Sequence, residues 1–149
     1  LACQLSERIA AFGSVSGAYQ LPWGDCNPDR PVPAIIFHGT EDPVVPFGGG
    51  VSSPLFLPFP EVTAWVKILA DENGCADDPV NVTAQGEVSG IRYTGCAEDA
   101  EVVFYTIANG GHTWPGGGSL PRVIVGHKTQ DIDATRTMWE FFQQHPLPK

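Results

Sequence analysis

Short apolar runs separated by glycine and proline organise this chain. Residues 9–15 (IAAFGSV), 34–39 (AIIFHG) and 101–107 (EVVFYTI) are mostly apolar over strand length, the pattern of strands buried on both faces of a parallel sheet. Residues 61–73 carry Val62, Trp65, Val66 and Leu69 at helical spacing, with Pro60 where a helix would begin and Gly74 where it would end. Residues 80–95 alternate and contain glycines, which predicts a hairpin. Residues 132–144 predict a closing helix with Met138, Trp139, Phe141 and Phe142 on its apolar face, and Trp65 and Trp139 are both expected in the core. Residues 1–8 look like the tail of a helix, and the Gly/Pro/Ser-rich residues 47–60 like an irregular loop. Strand, loop, strand, helix, hairpin, strand, loop, helix predicts an α/β fold, the second half of a mostly parallel sheet flanked by helices.

Composition narrows the function classes. The 149 residues are 42% hydrophobic and 17% charged, which is globular rather than disordered, and they suffice for one domain. A formal net charge of −9 argues against nucleic acid and anionic membrane surfaces as partners. No apolar run approaches a membrane span. The four cysteines form no C-x-x-C pair, and no histidine stands at zinc-finger spacing. Disulfides in an oxidising compartment are expected, with Cys3–Cys26 and Cys75–Cys96 favoured because each brackets one short segment; free buried thiols are the alternative. Asn81-Val82-Thr83 is a glycosylation sequon wherever the source glycosylates. The chain opens without Met, as if partway along a helix, so it is expected to be the C-terminal part of a longer secreted protein.

Two marked segments stand where strands end. HGTEDPVVP (38–46) follows AIIF, and GGHTWPGG (110–117) follows EVVFYTI. In open α/β sheets functional groups gather beyond the carboxyl ends of strands. Adjacent strands would bring Asp42 to His112 across about 70 residues of sequence. A buried carboxylate that accepts from one imidazole nitrogen frees the other to take a proton from a nucleophile. Gly110 and Gly111 are expected to supply the backbone conformations that carry the ring into a cleft. Glu41 competes with Asp42 as the acid. Trp114 is either the wall of an apolar pocket or loop packing, and His38 either braces the site or touches substrate. His127 and His145 are expected at the surface, Trp23 is a candidate surface contact, and no cluster suggests a metal.

Acid followed by base requires a nucleophile earlier in the chain, and no G-x-S-x-G is present. GSVSG (13–17) has Val15 at its centre, and GEVSG (86–90) fails in the same way. Ser14 and Ser16 are poor substitutes because neither opens a helix after a sharp turn.

HGTEDPVVP fits an H-G-x-x-D-x-x-V-P pattern, and with GGHTWPGG it resembles secreted bacterial esterases of the polyhydroxybutyrate depolymerase and feruloyl esterase type. LAC (1–3), NGC (73–75), YTGC (93–96) and the closing DIDATRTMWEFFQQHP are similar too, so the resemblance covers almost the whole chain. It implies the C-terminal half of an α/β-hydrolase fold, one partial domain over residues 1–149. It also implies a serine esterase with Asp42 as acid, His112 as base and no cofactor or metal. The serine and the oxyanion hole would lie before Leu1, and the substrate would be a polyester or a plant cell-wall ester. The alternatives are a non-catalytic, disulfide-braced binding module and an inactive fragment.

Overall fold

The computed structural model describes residues 2–18, 28–118 and 121–148. In chain order the strands are β1 (Phe12–Val15), β2 (Ala34–Gly39), β3 (Gly50–Val51), β4 (Pro58–Phe59), β5 (Val80–Gln85), β6 (Val88–Tyr93) and β7 (Val102–Ile107). The α-helices are α1 (Ala2–Leu5), α2 (Val62–Glu72), α3 (Arg122–Val125) and α4 (Ala134–Gln144). Five strands form one sheet in the order β1-β2-β7-β6-β5. β1, β2 and β7 are parallel, whereas β6 and β5 join antiparallel. The sheet is therefore mixed rather than mostly parallel: the 80–95 hairpin lies beside β7 and reverses its own direction through a two-residue turn. Among the described residues no helix is long and apolar enough to cross a membrane.

All six residues of β2 are buried, and they alternate between two cores. Ala34 and Ile36 join Val62, Trp65, Val66 and Leu69 of α2, together with Val102 and Phe104. Ile35 and Phe37 face the opposite side, with Val103, Ile107 and Met138 and Phe141 of α4. Each Val, Leu, Ile, Phe or Met side chain among them taken fully from water contributes about 1.5–3 kcal/mol, before the cost of ordering it. β1 differs from its expected double burial, since its residues are only half-buried or exposed at the sheet margin.

The predicted core placement of Trp65 holds, and that of Trp139 does not, because Trp139 is 62% exposed. Met138, Phe141 and Phe142 are three and four residues apart and share a stripe, while Trp139 is rotated about 100° from Met138. The 47–60 loop contains the small β3–β4 ladder, and α3 is a four-residue helix that the apolar pattern does not announce.

α2 ends in a Schellman motif: Gly74, at φ 65°, donates to the Asp71 carbonyl and Cys75 to that of Ala70. The Asn73 side chain bonds both backbone groups of Val32 and the Ala100 carbonyl, which ties the helix end to the entry of β2 and β7. The Cys75–Cys96 disulfide closes the same corner. The Cys3–Cys26 pairing and Trp23 involve positions 26 and 23, which lie outside the described residues.

Candidate functional site

Parallel pairing of β2 with β7 places the segments that follow them side by side. Thr40 donates its amide to the Ile107 carbonyl at 3.0 Å and Glu41 to that of Gly110 at 2.9 Å. The Asn109 amide donates to the Thr40 hydroxyl at 2.9 Å. A Cβ on Gly39 would sit 2.1 Å from the Gly110 carbonyl oxygen, and one on Gly111 would sit 2.0 Å from that of Val125. Gly110 and Gly111 are absent from the positive-φ residues, so their role is close backbone approach rather than unusual dihedrals.

The approach joins Asp42 to His112. The Nδ1 atom of His112 lies 2.9 Å from Asp42 Oδ2 and 3.2 Å from Oδ1. A carboxylate only accepts, so Nδ1 carries the proton and donates. Asp42 Oδ1 also accepts from the Val44 and Val45 amides, each at 2.8 Å. The Asp42 side chain is fully buried, whereas that of His112 is 35% exposed. Burial alone would raise the Asp42 carboxyl, but the bonds from His112, Val45 and Val44 outweigh it and hold the group below the usual carboxylate range. The Nε2 atom of His112 makes no hydrogen bond among the described residues. The site thus offers a base whose far nitrogen is open, oriented by a buried anion. Glu41, the competing acid, is exposed and does not enter the pair.

His38 lies beneath the pair. Its side chain has no exposed surface, its Nε2–H donates to the Val45 carbonyl at 2.9 Å, and Asp42 Oδ2 is 3.6 Å away. Its Nδ1 is buried and makes no hydrogen bond among the described residues. Burial pushes its pKa down, partly opposed by the Val45 carbonyl and by Asp42. A neutral imidazole here braces the turn that presents Asp42. Trp114 is 46% exposed and donates its indole N–H to the Thr135 hydroxyl at 2.9 Å.

A strap that the sequence reading missed runs behind the histidine loop. The His112 amide donates to the Val125 carbonyl at 2.6 Å and the Gly111 amide to the His127 carbonyl at 2.8 Å. The His127 ring lies 2.7 Å from Glu87 Oε2 and so anchors the strap to the hairpin. His127 is thus paired rather than free at the surface. His145 is also enclosed, 3.2 Å from Glu101 Oε1 and packed on the Phe141 ring. Gly126, at φ 85° within the strap, was the available sequence signal for a tight passage. Ser16 directly follows β1 at φ 54°, is only 6% exposed, and donates its amide to the Phe37 carbonyl. No hydrogen bond joins it to His112.

These features define an α/β chain with a carboxylate–imidazole pair at the carboxyl ends of neighbouring parallel strands. No family model matches the chain. It is 27% identical over 157 residues to a protein named "Putative esterase NocK" from Nocardia uniformis subsp. tsuyamanensis, a match covering 95% of this chain and 46% of that protein. It is 30% identical over 154 residues to one named "Feruloyl esterase B" from Piromyces equi, covering 98% of this chain and 25% of that protein. The chain therefore spans less than half the length of these curated relatives.

Proposed function

We propose that this chain supplies the acid and the base of a carboxylic ester hydrolase of the α/β-hydrolase fold, with the nucleophilic serine contributed by a segment preceding Leu1. The observation that carries this reading is the 2.9 Å bond from His112 Nδ1 to buried Asp42, which leaves Nε2 open. Similarity to two proteins named esterases supports it. In the proposed reaction His112 Nε2 takes the serine proton as the oxygen attacks the ester carbonyl, and Asp42 stabilises the imidazolium. Collapse of the tetrahedral adduct sends that proton to the departing alkoxide. Water, deprotonated by His112, then releases the acid from the acyl-enzyme. Trp114 would border the substrate, and His38 would position Asp42 rather than touch the ester. The Cys75–Cys96 disulfide supports work in an oxidising, extracytosolic compartment.

The test is hydrolysis of a chromogenic short-chain ester by a protein extended N-terminally through a G-x-S-x-G elbow. Turnover lost on His112→Ala and on serine replacement is expected. Turnover indifferent to His112→Ala would end the assignment of His112 as base, and no turnover by the extended protein would end the hydrolase reading. The 149-residue chain alone should be inactive, because loss of the nucleophile in a comparable triad lowers kcat by roughly six orders of magnitude. Activity of that chain, abolished by His112→Ala, would instead return attention to Ser14 and Ser16.

A further inference from the structure

Seventeen acidic residues face eight Lys and Arg, so cations here should readily find carboxylates. Several do: Lys67 pairs with Asp71 and Asp77, Arg92 with Glu101, and Arg136 with Glu140. Arg30 is engaged by the carbonyls of Ile9 and Pro31. Arg8, Arg122 and Lys128 have no such partner among the described residues, and the last two share a groove of about 230 Å³. Among the described residues Lys128 Nζ donates only to the Gly117 carbonyl, at 2.5 Å.

This groove adjoins the candidate site, since Thr113 and Trp114, which directly follow His112, line it as well. The third basic side chain on its wall, His127, is already matched by Glu87. Two cations without a carboxylate partner among the described residues thus line one groove together with the two residues that follow His112, in a protein whose net charge is −9. A chain with that charge repels anions in general, so a local reversal of sign selects for one where it occurs. Trp114 also borders a second depression, of about 380 Å³, with Thr135, Met138, Trp139 and Phe142. Trp114 therefore lines both a cationic groove and an apolar one.

We propose that the groove is a subsite for a carboxylate borne by the substrate. Resting on the hydrolase reading above, this makes the substrate class an ester that carries a free carboxylate. Arg122 and Lys128 hold the anion, and its carbon skeleton lies against the Trp114 indole. Arg presents paired N–H donors to a carboxylate, and both cations lose the repulsion of sharing one groove when an anion lies between them.

Binding is tested apart from catalysis. The indole N–H resonance of Trp114, assigned with Trp114→Phe, is followed by NMR as the protein is titrated with benzoate and with its neutral isostere benzamide. Benzoate should give a saturable shift that weakens with added salt, and benzamide should give none. In the double variant Arg122→Gln, Lys128→Gln the benzoate Kd should rise by roughly tenfold or more. Arg122 is exposed, so Arg122→Gln alone decides the matter if the double variant does not fold. Equal shifts from benzoate and benzamide, or a wild-type Kd in the variants, would overturn the subsite. Turnover of a neutral ester by the N-terminally extended protein reports separately on the hydrolase reading, so either idea can fail without the other.

Discussion

Asp42 does two jobs with one carboxylate, and substitutions separate them. It orients His112, and it closes its own turn by accepting from the Val44 and Val45 amides. Asp42→Asn keeps an acceptor for those amides but loses the charge and favours the wrong histidine tautomer. It should leave the fold near wild type and, on the proposed function, lower kcat of the N-terminally extended protein about ten-thousandfold, as steady-state assays would show. Asp42→Ala should in addition cost about 1–3 kcal/mol in urea unfolding, because buried amides lose their partner. His38 gives the site a pH limit. Its folded pKa lies below the ordinary 6.5, so the folded state prefers the neutral ring. Its contribution is complete above about 6.5 and is lost as pH falls from there toward the folded pKa. The carboxyl of Asp42, also lowered, adds a loss at more acidic pH, below the ordinary value of 3.8. Urea midpoints should therefore fall between pH 7.5 and 5.5, and His38→Gln, which retains an N–H for the Val45 carbonyl, should flatten that fall.

Segments that pass each other at backbone distance hold the pair in place. The strap carrying His127 lies so close to the histidine loop that Gly111→Ala must push one of them aside, since the new Cβ would meet the Val125 carbonyl oxygen at 2.0 Å. The expected cost is about 1–3 kcal/mol by thermal or urea unfolding, the range for overpacking. At the opposite end of the sheet, the Schellman end of α2, the Asn73 side chain and the Cys75–Cys96 disulfide converge on one corner. The bridge joins positions 21 apart, so reducing it should remove about 3 kcal/mol of stability on chain-entropy grounds. Non-reducing peptide mapping should recover the Cys75–Cys96 pair.

The sheet has an unfinished look on its β1 side. Among the described residues β1 pairs only with β2, and apolar depressions flank it on both faces: Phe12, Ala18 and Trp65 line one, Met138, Trp139 and Phe142 the other. Phe56, Val123 and Ile124 add exposed apolar surface, at 82, 93 and 66%. A free strand edge between apolar grooves favours association. On the proposed function, the 149-residue chain alone should self-associate in light scattering. Adding the segment that brings the serine should give a monodisperse protein. A monodisperse, stable short chain would instead favour an independent binding module.

Much of this fold and part of the site were legible in the residues. Apolar spacing located β2, β7, α2, α4 and the hairpin, because burial of one face imprints its period on the sequence. Asp42 and His112 stood out because each follows a strand of buried type within a distinctive loop. Which side chains meet was not legible. Glu87 and His127 are 40 positions apart, and Glu101 and His145 are 44 apart, so their pairing depends on how the hairpin and α4 lie against β7. Likewise, the reason for Gly111 is a carbonyl 14 residues later, and the exposure of Trp139 follows from which stripe of α4 the sheet covers. Local pattern records whether a position faces the core. Partner choice, sheet direction and the open side of an imidazole arise only when distant segments share space.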